Sequence, residues 1–452
     1  MAVARSNHLF HFAYVPRLPR ELSTTRRGKE PLHVGDQSFV PATLPYFITM
    51  VPYESAMGWV NDLFHFFGRE PPPNFTFYLA LSVILIPVPI VIMFIGSARP
   101  RQGLVPPYRE RVLILGASSG VGAELALQYS ARGCRNLVLV ARRRAELEKV
   151  KAKCEQRRKE GEEWEQSQRA PGWEEVEETV TTVEADCSNP DDLIRIRQTV
   201  RKAMGGLDTL HIVYGSSALR SLLNLAGIDP LDADTPISSS SAHATLEGVR
   251  SVFEKTSQIH QANVASTAAV LATFVPLLQL SSVSPTAVLL SSVAALIPPP
   301  TRSLYAASKA AQLQLFLATG IESEAQSRHS GQFATACISE GSKVQRRKRV
   351  NFFALAPGTI RTAFRLSAVD GPPDANSKDT SWDQEGDGSG GKGETSDILE
   401  PSEVAFAAIK AADREESGVR AMPAKYRLVR WAYLAMPSFI DAKARAKYGY
   451  GG

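Results

Sequence analysis

Cysteine and histidine are scarce in this sequence and are not arranged to bind a metal or to form a disulfide framework. The chain has 4 cysteines and 8 histidines. The cysteines lie far apart without a C-x-x-C pair, and the histidines show no metal-ligand spacing. This argues against a zinc site or a disulfide-stabilised scaffold and is typical of a protein in a reducing compartment. We therefore predict no bound metal. The cysteines are Cys134, Cys154, Cys187 and Cys337.

A strong charge of one sign is also absent. The formal net charge of the 452 residues is +5, and Lys and Arg are scattered or occur in short clusters. This pattern favours a solvated surface, so we expect no nucleic-acid partner. The 44% hydrophobic content is that of a globular protein with a sizeable core. The chain is long enough for one large domain or two ordinary ones, and it contains no internal repeats.

Charged residues are absent from the apolar run Phe75–Gly96, which is long enough to cross a bilayer as a helix. A buried core helix is the alternative. However, Pro87 and Pro89 are tolerated better in a membrane helix than in a soluble one. We therefore predict a transmembrane helix over residues 75–96, preceded by a poorly ordered N-terminal arm over residues 1–74.

Basic residues are unevenly distributed around this run. Only Arg69 lies close to it on the N-terminal side, whereas four arginines follow it. Because positive residues favour the cytoplasmic side of a membrane, we expect everything after the run to face the cytosol. The four arginines are Arg99, Arg101, Arg109 and Arg111.

Residues 108–423 alternate short apolar runs with helical stretches. An apolar run over 111–115 ends in glycine, a helical stretch covers 121–131, and the next apolar run covers 136–141. Strand, glycine turn, helix and strand is how a doubly wound parallel sheet begins. The sequence therefore predicts an α/β fold of the Rossmann type. The later apolar runs that continue it are 210–214, 287–290 and 350–355.

Three segments are predicted to be insertions in this domain. Residues 155–178 are rich in Glu and Arg, and residues 323–349 end in a basic stretch. Residues 370–397 are rich in Gly, Ser and Asp, a composition typical of disorder. After the domain, residues 424–452 mix aromatics with Arg and Lys. This favours an amphipathic helix on a membrane surface, although a last helix packed on the domain fits equally well.

A glycine-rich loop, GASSGVG, follows the first predicted strand and opens the first predicted helix. Glycine lets the backbone turn sharply and lets a pyrophosphate approach the helix N-terminus, where free N–H groups favour negative charge. Such a loop is a weak signal by itself, and its place between strand and helix strengthens it. The residues expected to contact the cofactor there are Gly116, Ser118, Ser119, Gly120, Val121 and Gly122.

Arg142 and Arg143 follow the second predicted strand, where an NAD enzyme would place an acid on the ribose hydroxyls. A guanidinium at this position can bind the 2′-phosphate instead. The sequence therefore favours NADP(H) over NAD(H) as cofactor. An ordinary basic helix start is the alternative interpretation.

Tyr305 and Lys309 lie four residues apart, which places them on one face of a helix. A phenol is a poor acid–base group at neutral pH, and a fixed cation nearby lowers its pKa by stabilising the phenolate. Ser292, at the end of an apolar run, supplies a hydroxyl that can hydrogen-bond a reacting carbonyl. This spacing predicts a catalytic Ser, Tyr and Lys set.

Together these motifs resemble those of the short-chain dehydrogenase/reductase family over roughly residues 111–423. The resemblance adds Asn263 as the fourth catalytic residue and Asp186 as an acid near the adenine. Leu115 stands where the family usually has threonine. The family's Pro-Gly turn over the nicotinamide corresponds to Pro357, Gly358, Ile360 and Thr362.

The family's Asn-Asn-Ala-Gly stretch is not conserved in letters. Counted from Leu207-Asp208 it falls on residues 212–215, where only Gly215 remains. A better match by letters, residues 224–227, would need an insertion inside the fourth strand. We therefore place this cofactor contact at Gly215.

The resemblance implies an NADP(H)-dependent oxidoreductase that interconverts a carbonyl and an alcohol. Tyr305 would be the general acid/base, and Lys309 would lower its pKa and hold the nicotinamide ribose. Ser292 would orient the carbonyl oxygen, and Asn263 would position a helix and a water in a proton relay.

The predicted membrane helix before such a domain resembles the 11β-hydroxysteroid dehydrogenase architecture. We therefore expect a lipid- or steroid-like substrate, contact with membrane lipid, and an endoplasmic reticulum membrane with the catalytic domain facing the cytosol. A homodimer is the expected assembly. Two alternatives remain open: a tethered enzyme for a soluble substrate, and a catalytically idle scaffold that binds the cofactor. The altered fourth-strand motif and the three insertions motivate the idle scaffold.

Overall fold

A computed structural model of the chain describes residues 101–166, 179–228, 243–338, 346–371 and 398–447. The predicted N-terminal arm and transmembrane helix lie outside the described residues, as do nearly all of the predicted insertion at 370–397 and parts of the other two.

The described residues are built around a sheet of seven parallel strands in the order β3-β2-β1-β4-β5-β6-β7. The order reverses direction between β1 and β4, which is the topology of a doubly wound Rossmann-type sheet. The predicted fold class is therefore confirmed. The strands are β1 Arg111–Leu115, β2 Asn136–Ala141, β3 Thr179–Glu184, β4 Thr209–Ile212, β5 Thr286–Leu290, β6 Asn351–Pro357 and β7 Gly418–Met422.

Helices cover both faces of the sheet and bury two separate apolar clusters. One cluster lies under α1, α2 and α8, and the other lies under α3, α6 and α7. The helices are α1 Gly120–Ala131, α2 Arg144–Gln166, α3 Pro190–Met204, α4 Leu222–Leu225, α5 Leu246–His260, α6 Ser266–Ser281, α7 Ser303–Ile338, α8 Pro401–Asp413, α9 Lys425–Ala435 and α10 Pro437–Lys447.

The central strands are apolar on both faces because helices cover both sides of a parallel sheet. Five of the six residues of β2, all but Asn136, are buried, and β4 is buried throughout. The edge strand β7 is only half-buried and carries Arg420. Continuous apolar runs therefore mark the centre of the sheet, while its two edges, β3 and β7, carry more polar sequence.

Charged side chains are buried at the amino end of the sheet. Glu110, which is 1% exposed, accepts a hydrogen bond from Arg101 at 2.7 Å and forms a second ion pair with Arg132. Arg101 also donates to the carbonyl oxygens of Ser284 and Asp208, at 2.9 and 3.2 Å. These bonds satisfy the buried charges and fix residues 101–110 to the sheet.

Helices α5 and α6 are joined by one turn of π-helix, Gln261–Ala265, so that they form a continuous helical segment over residues 246–281. Within the described parts of the chain, this segment alone is long and apolar enough to cross a membrane. However, its residues Val270, Phe274 and Leu278 are buried against the sheet. It is therefore a core helix of the domain.

Two predicted insertions begin as extensions of helices. Helix α2 continues through Gln166, so residues 155–166 are helical, and α7 continues through Ile338, which covers much of 323–349.

Candidate active site

The candidate active site lies at the carboxyl ends of the central strands. The loop after β1 carries the glycine-rich segment, β4 leads to Gly215, β5 leads to Ser292, and β6 ends at Pro357. In doubly wound sheets, ligands bind at this edge, next to the point where the strand order reverses. The topology therefore brings the sequence-predicted residues to one edge.

The glycine-rich loop turns so tightly that two of its positions cannot carry a side chain. A Cβ at position 122 would overlap the Gly116 carbonyl oxygen. Gly116 itself has φ +98°, and a Cβ there would lie 2.7 Å from the Tyr214 backbone nitrogen. Helix α1 begins at Gly120, so its first N–H groups face the loop. This backbone fits a pyrophosphate at the helix N-terminus.

Arg143 connects the end of β2 to this loop. Its Nη2 donates to the Ser119 hydroxyl at 2.8 Å and to the Ser118 hydroxyl at 3.2 Å. Arg142 lies 4.0 Å from the Asp186 carboxylate and is largely exposed. A cavity of about 780 Å³ is lined by Arg142 and Asp186. The predicted 2′-phosphate and adenine residues are therefore neighbours in space.

Tyr305 is 7% exposed, near the start of α7. The Ser292 hydroxyl accepts from the Ala294 backbone N–H at 3.1 Å. Burial raises the pKa of the Tyr305 phenol, and the charge of Arg302 and the nearby Ser292 hydroxyl oppose that rise. The phenol is therefore protonated at neutral pH and is a proton donor.

Lys309 lies one helical turn after Tyr305 and is 3% exposed. Its Nζ donates to the Gln312 side-chain oxygen at 2.9 Å and to the Leu290 carbonyl oxygen at 3.3 Å. Burial lowers the pKa of Lys309 to about 8. The ammonium is therefore still mostly charged at neutral pH and is held at the carboxyl end of β5.

That Lys309 lowers the pKa of Tyr305 stays a prediction from the sequence. Among the described residues, the cation that opposes the rise in the Tyr305 pKa is Arg302. The Lys309 ammonium is bonded to Leu290 and Gln312 instead.

Asn263 is fully buried in the π-helical turn between α5 and α6. Its side-chain amide accepts from the Ser216 N–H at 2.8 Å and donates to the Ser216 carbonyl oxygen at 3.0 Å. Its second amide proton goes to the Ser308 hydroxyl at 2.9 Å. π-Turns within α-helices often occur at functional sites. Here the turn joins the segment after β4 to the helix that carries Tyr305 and Lys309.

Gly215 lies directly against this machinery. A Cβ at position 215 would be 3.1 Å from Asn263 Oδ1 and 3.4 Å from Lys309 Nζ, so a larger residue would crowd both. By contrast, nothing lies within 4 Å of the place where a Gly227 Cβ would be. The structure thus brings Gly215 next to the site and places residues 224–227 at the end of the short helix α4 and the turn after it.

The Pro-Gly turn follows β6 and contacts both the glycine-rich loop and the C-terminal helices. The Gly358 N–H donates to the Met422 carbonyl oxygen at 2.7 Å, and a Cβ at position 358 would be 3.0 Å from the Tyr426 ring. Ile360 packs on the apolar core beneath the loop. A Cβ at position 120 would lie 3.0 Å from Thr362, so Thr362 lies against Gly120.

Several residues at the site carry no motif in the sequence. Thr267 accepts from the Gln312 amide at 2.8 Å and donates to the Asn263 carbonyl oxygen at 2.7 Å. With the Lys309–Gln312 bond, this completes a buried polar chain from Lys309 to Asn263. The polar residue Gln312, in an otherwise apolar stretch three residues after Lys309, is the one sequence signal that could have indicated it.

Apolar side chains also pack around Tyr305. Tyr305 packs with Ala218, Leu225, Ile259 and Leu304, and the Phe364 ring lies edge-on at 6.0 Å. Apart from Leu304, its neighbour on α7, these residues come from α4, α5 and the segments after β4 and β6, so tertiary structure brings them to Tyr305.

A family model described as short chain dehydrogenase matches residues 160–327. This span contains Asn263, Ser292, Tyr305 and Lys309, which the structure brings together at one sheet edge. Over residues 160–327 the chain is therefore similar to short-chain dehydrogenases.

Curated proteins similar to this chain also include short-chain dehydrogenases. A Dehydrogenase/reductase SDR family protein 7-like from Dictyostelium discoideum is 39% identical over 83 residues, which are 18% of this chain and 26% of that protein. The 11-beta-hydroxysteroid dehydrogenases 1A and 1B of Arabidopsis thaliana are 33% identical over 215 residues, 48% of each chain. The chain thus matches about a quarter of the first protein and about half of the other two.

Solved structures that are similar to this chain have low sequence identity to it. An alcohol dehydrogenase from Thermococcus sibiricus complexed with 5-hydroxy-NADP is 18% identical, with a TM-score of 0.43 over 70% of this chain and 97% of that one. A short chain dehydrogenase from Burkholderia cenocepacia with NADP is 16% identical, with a TM-score of 0.44 over 74% and 98%.

Proposed function

We propose that the protein is an NADP(H)-dependent oxidoreductase that interconverts a carbonyl and an alcohol on a hydrophobic substrate at a membrane surface. The observation that carries the proposal is the buried Tyr305 phenol, which lies near the Ser292 hydroxyl and one helical turn from Lys309.

The proton chemistry follows from these contacts. In the reducing direction, the protonated Tyr305 donates its proton to the carbonyl oxygen, and the Ser292 hydroxyl donates a second hydrogen bond to that oxygen. The nicotinamide cofactor supplies the hydride when bound. Lys309 keeps a positive charge beside the site, which favours negative charge developing on oxygen. In the oxidising direction, the phenolate of Tyr305 would accept the alcohol proton, and the hydride would leave to the oxidised nicotinamide.

NADP(H) is favoured over NAD(H) by the position of Arg143. Its guanidinium lies on the two serines of the glycine-rich loop, and Arg142 lines the neighbouring cavity. Cationic donors at the end of the second strand suit a 2′-phosphate. The tight approach of Gly122 to Gly116 supports pyrophosphate binding at the same loop.

A hydrophobic substrate is favoured by the apolar surroundings of Tyr305, which include Phe364 and Leu225. The Arabidopsis relatives are named as 11-beta-hydroxysteroid dehydrogenases. Steroid-like and other lipid ketones are therefore the first substrates to try, since a fold alone accommodates many specificities.

A membrane surface is favoured by the C-terminal helices as well as by the uncharged run at residues 75–96. Helix α9 has no buried residue, and Leu428, Trp431 and Leu434 are each more than 70% exposed. Basic residues flank this apolar face, as in helices that lie on membranes. Because Tyr426, near the start of α9, lies next to Gly358, this surface adjoins the Pro-Gly turn. We propose the endoplasmic reticulum, with the domain in the cytosol.

The decisive experiment compares wild type with Tyr305→Phe in NADPH oxidation with a panel of steroid and lipid ketones in detergent micelles. The phenyl ring fills the same space, so NADPH binding should be nearly unchanged while kcat falls about a hundred- to ten-thousand-fold. Tyr129→Phe is the matched control, because it also removes a buried hydroxyl, one bonded to His211 in β4. A Tyr305→Phe enzyme with near wild-type kcat would contradict the proposed mechanism. NADPH binding without turnover of any ketone would favour the idle scaffold.

A further inference from the structure

Arg302 lies three residues before Tyr305 and stacks on its ring. The guanidinium carbon is 4.7 Å from the ring centroid. Its Nη2 donates to the Ser217 hydroxyl at 2.8 Å, and Ser217 is fully buried. The Ser217 backbone is fixed in turn by the Val369 N–H, which donates to its carbonyl oxygen at 2.9 Å. The guanidinium is therefore held in place from a second chain segment.

The local backbone also fits a specific placement of this side chain. Thr301 has φ +66°, a left-handed conformation that β-branched residues rarely adopt. This residue turns the chain from the proline-rich segment before it into helix α7. In addition, the Arg302 Nε is buried and has no hydrogen-bond partner among the described residues. The strained turn and the unpaired donor indicate a role other than helix stability.

A cation at this position acts differently on the two protonation states of Tyr305. The neutral phenol offers only its ring quadrupole to the guanidinium, which is a weak attraction. The phenolate carries a full negative charge shared with the ring, so the same guanidinium stabilises it much more strongly.

Among the described residues, those that pack with the Tyr305 ring in its apolar cluster are uncharged. The segment after β4 contributes Ala218, α5 contributes Ile259, and the segment after β6 contributes Phe364 and Val369. The carboxylate of Asp370 accepts from the Leu219 and Arg220 backbone N–H groups. On α7, the Lys309 ammonium is bonded to Gln312 and Leu290.

We propose that Arg302 is a positioning residue that stabilises the phenolate form of Tyr305 and thereby acts as a second cation, besides Lys309, in proton transfer. The proposal deepens the proposed function and rests on it for its catalytic meaning. In the oxidising direction the phenolate accepts the alcohol proton, and Arg302 raises the fraction of enzyme that is ready to do so.

The test measures the ionisation of residue 305 directly and needs no turnover. Trifluorotyrosine, whose phenol ionises closer to neutral pH, is incorporated at position 305 of the full chain in micelles. The pH at which half of this phenol is ionised, its titration midpoint, is followed by ¹⁹F NMR. Arg302→Gln should raise this midpoint by about one pH unit or more, because it removes a cation within about 5 Å. Arg302→Lys should restore much of it. Ser217→Ala keeps the charge but releases its anchor, so its midpoint should lie between those of wild type and Arg302→Gln.

Arg420→Gln is the matched control, because Arg420 of β7 also stacks on an aromatic ring, that of Phe353 in β6, at 5.1 Å. Its midpoint should equal that of wild type. An unchanged midpoint in folded Arg302→Gln, or a shift equally large in Arg420→Gln, would overturn the proposal. With a substrate found in the ketone panel, the basic limb of the kcat profile for alcohol oxidation should move with the midpoint. A moved midpoint with no turnover of any substrate would instead contradict the proposed function alone.

Discussion

At the scale of single residues, the contact between Arg143 and the glycine-rich loop joins two motifs that are separate in the sequence. Its guanidinium reaches Ser118 and Ser119, and Arg142 adds a second, exposed cation beside Asp186. A 2′-phosphate bound here would replace two serine hydroxyls as the partner of Arg143. The proposed preference for NADP(H) therefore rests on two side chains that can be changed without touching the core.

Replacing Arg142 with Gln and Arg143 with Glu together should weaken NADPH binding far more than NADH binding. A charge-assisted hydrogen bond contributes about 1.5–3 kcal/mol, so the NADPH dissociation constant should rise about 10- to 150-fold. Calorimetric titration with each cofactor measures this. Arg195→Gln is the control, because Arg195 lines the same cavity but is already paired with Asp192 at 2.6 Å. Equal affinity of the wild-type protein for NADPH and NADH would contradict the assignment.

The same scale shows why Lys309 and Gln312 belong together. A buried ammonium is stable only when its hydrogen bonds are satisfied. Gln312 accepts one of these hydrogen bonds and in turn donates a hydrogen bond to Thr267. Gln312, three residues after Lys309 on the same helix, thus helps to hold the lysine that the sequence motif names.

At the scale of secondary-structure elements, the buried ion pairs at the amino end of the sheet tie β1 and β4 to the segment before β1. Glu110 lies between Arg101 and Arg132, and Arg101 reaches Thr209 of β4 at 2.8 Å. Replacing such a pair with apolar residues is often tolerated, but removing one partner leaves an uncompensated buried charge.

Glu110→Ala should therefore lower the free energy of unfolding by about 3–5 kcal/mol. Urea unfolding followed by circular dichroism measures the change. Glu146→Ala is the control, since Glu146 forms an exposed pair with Lys149 at 2.9 Å, and its loss should have no measurable effect. If the two variants unfold at the same urea concentration, the Glu110 cluster is not a stabilising element.

The π-turn at Asn263 is a second feature of this scale. In an uninterrupted α-helix over residues 246–281, the side chains after Asn263 would point in a different direction relative to those before it. The π-turn lets Asn263 bond Ser216 while Phe274 and Leu278 remain buried. Local propensity does not reveal it, because the sequence QANVA carries no helix-breaking residue.

At the scale of the whole molecule, two features point to a membrane: the uncharged run at residues 75–96 and the exposed apolar face of α9 and α10. The run at residues 75–96 would anchor the chain. The exposed apolar face would bring the Pro-Gly turn to the lipid surface. The two contributions are separable, because a spanning helix resists alkaline extraction whereas a helix on the surface does not.

The full chain should stay in the membrane pellet after alkaline carbonate, and a variant without residues 75–96 should be released. That variant should still bind vesicles containing anionic lipid at low salt. Leu428→Glu combined with Trp431→Glu should weaken this binding at least about ten-fold, because both side chains are exposed on one face. Leu104→Glu, at an exposed leucine outside these helices, is the control.

Two results would contradict these expectations. Release of the full chain by carbonate would exclude the predicted span. Equal vesicle binding by the double variant and the control would exclude α9 as the membrane-facing surface. Protease added to intact microsomes tests the orientation, since a protected domain would place it on the opposite side.

The sequence by itself determined the central strands and the chemical groups of the site. Strands such as β1 and β2 are buried on both faces, so their apolar runs are visible without a structure. Tyr305 and Lys309 were identifiable because helical spacing is a local property of the chain. Asn263 and Asp186 were identified only through the family resemblance, since neither has a local pattern that marks it.

Tertiary structure alone decided the rest. Strands β3 and β7 form the sheet edges, where Thr181, Thr182 and Arg420 replace a continuous apolar run, so their sequence did not predict them. The Arg302 guanidinium beside Tyr305 is held by Ser217 from the segment after β4, and Gln312, which bonds Lys309, is held by Thr267 of α6. The bonds to Ser217 and Thr267 depend on where distant segments meet. Residue spacing reports only neighbours along a helix or strand, whereas charge and hydrogen bonding act through space.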